Sequence, residues 1–171
     1  ILDLHHVTAA DLEGAILSSV VPPLNAVITE AVRKVTGLAC KLVGAGMKTG
    51  MNIRMDDPKH IGSDLIVDSV AAKANYPLPI IVIDMGTATS ITALDQNGDY
   101  VGGVIHPGLR VSLNTLSGST AQLPSIDLES PGRALAKNTI EAMQSGILYG
   151  TAGMLDGIIT RMEKELGSKA T

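Results

Sequence analysis

The segment from Ile80 to Asp95 constrains the fold of this chain more than any other stretch. Four consecutive β-branched residues, Ile80 to Ile83, lead into Asp84. A Gly86–Thr89 turn then separates them from a second run in which apolar and polar residues partly alternate. This pattern predicts a β-hairpin with a carboxylate at the end of its first strand.

The turn of this hairpin combines groups suited to binding phosphate. Gly86 allows close backbone approach, the turn offers backbone N–H groups, and Thr87 and Thr89 add hydroxyls. Asp84 would then lie near any cation that accompanies the phosphate. The same residues also fit an ordinary hairpin in which Asp and Thr side chains satisfy the turn. A motif this short does not separate the two interpretations.

Composition narrows the classes of function. The 171 residues are 45% apolar but include no Phe or Trp and only three Tyr, so the core must be aliphatic. Nucleic-acid binding depends on cationic surfaces and stacking platforms, and a net charge of −4 with so few aromatic rings disfavours it. We therefore expect no nucleic-acid partner.

The cysteine content and the lack of a long apolar run or a targeting pattern in the sequence indicate the cellular environment. Its single cysteine, Cys40, lies in an apolar run and cannot form an internal disulfide. No apolar run approaches the about 20 residues that cross a bilayer, and the N-terminus has no basic segment followed by an apolar one. We expect a soluble, cytoplasmic protein with no membrane partner.

The first part of the chain predicts a β-α-β unit. Ala15 to Val21 is a strand pattern stopped by two prolines, and apolar residues from Leu24 to Val35 then recur at helical spacing up to Gly37. Cys40 to Val43 is a second buried strand. The two strands should be parallel, because a helix connects them.

A second helix is predicted from the apolar face that starts at Ile66. Asp64 falls at or near its N-terminus, where Asp is a common cap. Pro77 and Pro79 then break the chain. We place a domain boundary here, with residues 1–79 in one domain and 80–171 in another.

Beyond the hairpin, the pattern predicts a third strand and two helices. Asn97 and Gly98 are typical of a two-residue turn, so the Tyr100–Ile105 strand should extend an antiparallel meander. His106 either faces a ligand or is a hydrogen-bonded loop histidine. A helix should open at about Leu109, after Pro107 and Gly108.

The last and longest helix is predicted to start near Thr139. This threonine is a candidate N-cap, and its hydroxyl is equally a candidate substrate contact. Gly146, Gly150, Gly153 and Gly157 recur along the helix although glycine weakens helices. We expect another backbone to pack against them, from a neighbouring helix or from a second subunit.

Six motifs along nearly the whole chain resemble those of type III pantothenate kinases, in the superfamily of acetate and sugar kinases, heat-shock cognate proteins and actin. They are Ser18–Pro22, Lys48–Gly50, Gly62–Asp64, Asp84–Thr89, Gly102–Gly108 and Lys137–Gly146. The resemblance implies a ribonuclease-H-like, actin-like α/β ATPase fold in two incomplete halves, with mixed sheets flanked by helices. Residues 1–79 would be the C-terminal part of the first domain, and residues 80–171 most of the second.

The resemblance also implies an activity and its cofactors. The activity is ATP-dependent phosphorylation of pantothenate to 4′-phosphopantothenate, the first step of coenzyme A biosynthesis. It would be aided by a monovalent cation, potassium or ammonium, with magnesium accompanying ATP, in a homodimer. A hydroxyl nucleophile needs a carboxylate to take its proton, and phosphoryl transfer otherwise depends on alignment and charge neutralisation.

Residue roles follow from the same resemblance. Asp64 corresponds to the family's proton acceptor and Asp84 to its cation ligand. Gly86 and Thr87 correspond to ATP contacts. The substrate-binding positions are Gly62, Ser63, Asp64, Leu65 and Thr139.

Two positions depart from the family pattern. Leu65 stands where the family often has Arg, and Met55 where it often has Tyr. Leucine cannot make a charge-assisted bond to a carboxylate, so the resemblance leaves the affinity for the substrate or its identity open. Arg54 is a candidate replacement.

Two further nucleotide-binding segments of the superfamily are not found in the sequence, namely an Asp-x-Gly-Asn-Thr-like loop and a Gly-Gly adenosine motif. We therefore expect a middle part of a longer kinase that alone transfers phosphate poorly or not at all. One rival interpretation is a non-catalytic regulatory or binding protein that keeps the fold. Another is a kinase of the same fold that acts on a different small alcohol.

Overall fold

The computed structural model describes residues 2–44 and 46–171 and has α/β architecture. The chain divides into two compact units. The first unit comprises the residues up to Met51 together with Asp56–Ala71, and the second comprises Asn52–Met55 together with Ala72–Thr171. The domain boundary after residue 79 stays a prediction about the whole protein.

The first unit contains the predicted β-α-β element, but its second strand is not buried as predicted, since Leu42 is 43% exposed. Strands β1 (Ala15–Leu17) and β2 (Cys40–Leu42) pair in parallel, and helix α1 (Pro22–Thr36) connects them. Proline is tolerated in the first turn of α1 because the first N–H groups of a helix need no intrahelical acceptor. Gly37 ends α1 with the left-handed backbone (φ 75°) that favours glycine.

Strand β1 is shorter than the sequence predicted. The expected strand ran from Ala15 to Val21, but the sheet ends at Leu17. The N–H of Ser19 donates to the hydroxyl of Ser63 at 3.1 Å instead of to a neighbouring strand. The chain therefore leaves the sheet at the two serines that follow β1.

Helix α2 (Ser63–Asn75) begins where the sequence placed it, with Asp64 in its first turn. Ile66, which starts the predicted apolar face, is buried, but Val67 on the same predicted face is 38% exposed and the buried residue three positions on is Ser69. A short 3-10 turn, Pro58–His60, precedes the helix.

The second unit is built on the predicted antiparallel meander. Strands β3 (Ile80–Met85), β4 (Ala88–Leu94) and β5 (Tyr100–Pro107) pair in that order. The middle strand β4 is buried from Thr89 onward, as expected for a strand covered on both sides. Ile91 and Leu94 are completely buried, so the core is aliphatic as composition required.

Both edges of this sheet carry additional backbone pairing. On the β5 side, the N–H of Arg54 donates to the carbonyl of Tyr100, and the N–H of Tyr100 donates to Asn52, each at 2.8 Å. On the β3 side, Thr171 donates to Pro79 at 3.0 Å and accepts from Ile81 at 2.9 Å. The segment Asn52–Met55 is thereby fixed to the second unit.

Two helices complete the second unit. Helix α3 (Leu109–Ser119) follows β5 directly, with Gly108 as its N-cap, and it contacts helix α4 (Thr139–Leu166). Leu113 of α3 and Met143 of α4 are buried.

The predicted cap of α4 was wrong by one residue. Asn138, not Thr139, is the N-cap, with an extended backbone and a side-chain oxygen that accepts the Glu141 N–H at 2.9 Å. Thr139 is the first helical residue, and its side chain is exposed. Asn is at least as good a cap as Thr, so the adjacent asparagine takes the position.

Candidate functional site

The tip of the β3–β4 hairpin presents several of the predicted site residues. Asp84 pairs with Ser90 across the hairpin, and its carboxylate is exposed. Gly86 and Thr87 form the tip and are also exposed. The N–H of Gly86 donates to the carbonyl of Ala88 at 2.9 Å, so this amide closes the turn. The exposed carboxylate and hydroxyl therefore remain at one end of the sheet.

Thr89 does not present its hydroxyl with them. It is only 1% exposed, and its Oγ1 has no hydrogen-bond partner among the described residues. Its neighbours across the sheet are Met85 and His106. The expectation that both Thr87 and Thr89 offer hydroxyls at the turn was therefore wrong for Thr89, because the central strand is covered there.

The start of helix α3 lies directly against this turn. The N–H of Gly108 donates to the carbonyl of Thr87 at 2.9 Å. The carbonyl of Gly108 accepts the first helical hydrogen bond, from Ser112, also at 2.9 Å. The first N–H groups of a helix lack intrahelical acceptors and carry the positive end of its dipole. Such a helix start next to an exposed turn is suited to binding phosphate.

His106 is a hydrogen-bonded histidine. Its Nδ1 lies 2.8 Å from the carbonyl oxygen of Pro107, which can only accept, so Nδ1 is the donor. This geometry agrees with the second of the two interpretations of His106, although the residue lies in strand β5 and not in a loop.

In the first unit, the carboxylate of Asp64 is exposed at the start of α2. Its Oδ1 accepts the N–H of Leu65 at 2.9 Å. A side chain on Gly62 would collide with this same oxygen, so glycine at that position leaves room for the carboxylate. The arrangement keeps Asp64 at the surface with one oxygen held by the backbone.

Ser63 has a structural role in this unit. It is buried, and its hydroxyl donates to the carbonyl of Ser19 at 3.0 Å while accepting from the Ser19 N–H and the Ser18 hydroxyl at 3.1 Å. These bonds join the end of β1 to the start of α2 and so fix the residue next to Asp64. The substrate contact expected for Ser63 stays a prediction.

A charged cluster that sequence reasoning missed lies beside the β4–β5 turn. The buried carboxylate of Asp99 accepts from Arg54 Nη2 at 2.6 Å and from Asn52 Nδ2 at 2.9 Å. The guanidinium also lies 3.6 Å from Asp95 Oδ2. Arg54 is therefore already paired with two carboxylates, which does not favour the suggestion that it replaces the arginine missing at Leu65.

The surroundings of Asp95 lower the pKa of its carboxyl group. Partial burial opposes its ionised form, but N–H groups of Asp99 and Asn97 and the charge of Arg54 together hold the pKa of Asp95 below its ordinary value. The only signal for the cluster in the sequence is the pair of aspartates on either side of Asn97–Gly98.

Within residues 2–44 and 46–171, no three or more His, Cys, Asp and Glu side chains come together as metal ligands. No helix in this part of the chain has the length and apolarity to cross a membrane.

Comparison with known proteins assigns the family. The family model for type III pantothenate kinase matches residues 1–161. A type III pantothenate kinase of Moorella thermoacetica is 44% identical over 160 residues, which are 94% of this chain and 63% of the relative. The type III pantothenate kinase of Dehalococcoides mccartyi strain BAV1 is 40% identical over 164 residues, which are 96% of this chain and 62% of the relative. The chain belongs to the type III pantothenate kinase family.

The chain spans less than two thirds of these relatives, 63% and 62% of their lengths. A crystal structure of a Campylobacter jejuni protein, named for the Baf family of transcriptional activators, is similar with a TM-score of 0.56 and 16% identity. The similarity covers 91% of this chain and 68% of that one. At this identity the likeness concerns the fold alone.

Proposed function

We propose that the protein containing this chain uses ATP to phosphorylate pantothenate to 4′-phosphopantothenate, the first step of coenzyme A biosynthesis. The match to the family over residues 1–161 carries the proposal. The exposed turn at Gly86 and Thr87, against the start of α3, supports it because phosphoryl transfer requires groups that align phosphate and neutralise its charge.

The second unit would hold the nucleotide phosphates and the cation. Thr87 offers a hydroxyl, Gly86 leaves room for close approach, and α3 contributes its positive N-terminal end. Asp84 is the proposed ligand for potassium or ammonium. Potassium prefers oxygen donors, and the exposed carboxylate, threonine hydroxyl and nearby carbonyl groups are of that chemistry. Magnesium would arrive with the ATP phosphates.

Asp64 is the proposed proton acceptor. The alcohol of pantothenate must lose its proton as its oxygen attacks phosphorus, and an exposed carboxylate can take that proton. Gly62, Ser63 and Leu65 would surround the substrate from the same segment. Thr139, exposed at the start of α4, is the remaining proposed contact.

For the whole protein we propose an actin-like, ribonuclease-H-like fold. Residues 1–79 would be the C-terminal part of its first domain and residues 80–171 most of its second. The parallel pairing in the first unit and the antiparallel meander in the second support this proposal, because the resemblance implies mixed sheets flanked by helices.

We further propose a homodimer that buries one face of α4. Within the described part of the chain, side chains added at Gly146, Gly150 or Gly153 would meet no atom within 4 Å. A neighbouring helix of this part of the chain is thus not what packs against these glycines. Tyr149 beside them is 48% exposed. Residues three or four apart share a helix face, so these residues form one surface suited to a second copy.

A same-fold kinase for a different small alcohol is the second candidate function. It is favoured by Leu65, which offers no charge to a substrate carboxylate, together with the engagement of Arg54 by Asp99 and Asp95. Parallel assays of pantothenate and of related alcohols without a carboxylate would rank the two candidates.

The test of the main proposal is turnover by the intact gene product with ATP, pantothenate and potassium. We expect Asp64→Asn to lower the rate about 10²–10⁴-fold while the fold is retained. Asp127→Asn, a change at another exposed carboxylate, is the matched control and should leave the rate unchanged. Absence of turnover with any monovalent cation in the unaltered protein would favour a non-catalytic regulator.

A further inference from the structure

We propose that Gly108 is a positioning residue for the phosphate turn, defined as Gly86–Thr87. This proposal rests on the proposed function, because it concerns how that turn is held for ATP. Gly108 is not expected to touch the nucleotide; it would act through Thr87.

The backbone at Gly108 is in direct contact with the backbone of the phosphate turn. The Gly108 N–H donates to the Thr87 carbonyl at 2.9 Å. A Cβ atom on Gly108 would collide with the Gly86 carbonyl oxygen and would lie 2.7 Å from the Thr87 oxygen and 3.0 Å from its carbonyl carbon. All of these are backbone atoms, which cannot rotate away as a flexible side chain does.

Backbone conformation does not explain the glycine. Gly108 has φ −65° and ψ 162°, values open to any amino acid. The glycine is therefore required by space and not by its dihedral angles. The specific consequence of a side chain here is displacement of the turn.

The turn has few ways to absorb such a displacement. Gly86 donates to Ala88 at 2.9 Å, and Ala88 is paired with Pro107 in the sheet. Pro107 immediately precedes Gly108, so the sheet fixes both sides of the contact. A methyl group at position 108 must then move Gly86–Thr87 or the start of α3, the two elements proposed to hold phosphate.

The test is Gly108→Ala in the intact gene product. We expect KM for ATP and the calorimetric Kd for a non-hydrolysable ATP analogue to rise about 10–100-fold, since misplacement of about 1 Å has effects of this size. KM for pantothenate should be unchanged. Gly118→Ala is the matched control, because Gly118 lies in α3 and a side chain added there meets no atom of residues 2–44 and 46–171 within 4 Å.

Two outcomes would overturn the proposal without touching the proposed function. One is a Gly108→Ala variant that has normal turnover and an unchanged affinity for the ATP analogue. The other is a variant that loses thermal stability while its affinity for the analogue stays that of Gly118→Ala, which indicates a purely structural role. Absence of ATP-dependent turnover in the unaltered protein would instead refute the proposed function.

If Gly108→Ala does not fold, a second measurement tests the positioning role of Gly108. Hydrogen exchange at the Gly108 amide is followed in the unaltered protein with and without the ATP analogue. The bond to Thr87 predicts a protected amide that exchanges still more slowly when the analogue is bound. Exchange that the analogue leaves unchanged would overturn the proposal.

Discussion

Arg54 Nη2 lies 2.6 Å from Asp99 Oδ2, and this contact joins the segment Asn52–Met55 to the turn between β4 and β5. The arginine side chain is 58% exposed, whereas that of Asp99 is only 6% exposed. The partners are therefore not equivalent. Loss of the arginine leaves a buried carboxylate with less compensation, which is more costly than loss of an exposed ion pair.

We expect Arg54→Met to lower the free energy of unfolding by about 1–3 kcal/mol, the cost of an under-satisfied buried group. Arg33→Met removes a surface pair with Glu30 and should lower the free energy of unfolding much less, because solvent screens an exposed pair. Urea unfolding of both variants measures the difference. Equal effects would show that the Arg54–Asp99 pair behaves as an ordinary surface pair. Adding Asp99→Asn to Arg54→Met removes the unpaired charge and should recover part of the lost stability.

The lowered pKa of Asp95 predicts a pH dependence. Its pKa in the folded state lies below the reference value of 3.8, so its contribution to stability is present above that value and is lost as pH falls through the folded pKa. Asp95→Asn keeps an oxygen that can accept the two N–H bonds but removes the charge that faces Arg54. The variant should lose less stability than the unaltered protein between about pH 5 and pH 2. Parallel curves of unfolding free energy against pH would contradict this assignment.

Thr87 and Thr89 differ in exposure and should differ in function. Thr87→Val removes an exposed hydroxyl proposed to bind phosphate and should weaken ATP binding about tenfold or more, because a hydrogen bond to a charged group contributes about 1.5–3 kcal/mol. Thr89→Val removes a buried hydroxyl that has no hydrogen-bond partner among the described residues, so ATP affinity should be unchanged and stability equal or higher. Calorimetry with an ATP analogue and thermal unfolding test the pair. Weaker ATP binding by Thr89→Val alone would reverse the assignment.

The glycine face of α4 predicts an oligomer that a large side chain disrupts. Gly150→Leu should weaken dimerisation about tenfold or more, since overpacking a close interface costs about 1–3 kcal/mol. Ala152→Leu is the control, because Ala152 is exposed but lies off the face that carries Gly146 and Gly150. Sedimentation equilibrium of the intact gene product measures both. A monomer in the unaltered protein, or equal effects of the two variants, would contradict the proposed interface.

Local signals in the sequence predicted most of the secondary structure. The β-branched run before Asp84 and the Asn97–Gly98 signal were sufficient to predict the meander, because hairpins depend on residues close in the chain. The predicted two-residue turn was wrong, since five residues, Asp95–Asp99, connect β4 to β5. The sequence also predicted correctly that α1 ends at Gly37. Such features depend on a few adjacent residues and their intrinsic conformational preferences.

Contacts between distant segments were not predictable in this way. Ser63 bonds to residues 44 and 45 positions earlier, and Asn52 bonds to Asp99 47 positions later. No periodicity links such pairs, so the shortened β1 and the Arg54 cluster were missed. Competition between neighbours caused the error at the start of α4, as Asn138 takes the cap position expected for Thr139. The roles of Asp64 and Asp84 came from family resemblance and stay predictions.

The central claim is that the β3–β4 turn binds a monovalent cation and the ATP phosphates. Its most direct test is the rate of ATP-dependent pantothenate phosphorylation as a function of potassium concentration, for the unaltered protein, Asp84→Asn and the control Asp127→Asn. We expect Asp84→Asn alone to raise the half-activating potassium concentration about tenfold or more, because a cation site weakens when a charged ligand is removed. An Asp84→Asn variant with the potassium dependence and rate of the unaltered protein would contradict the claim.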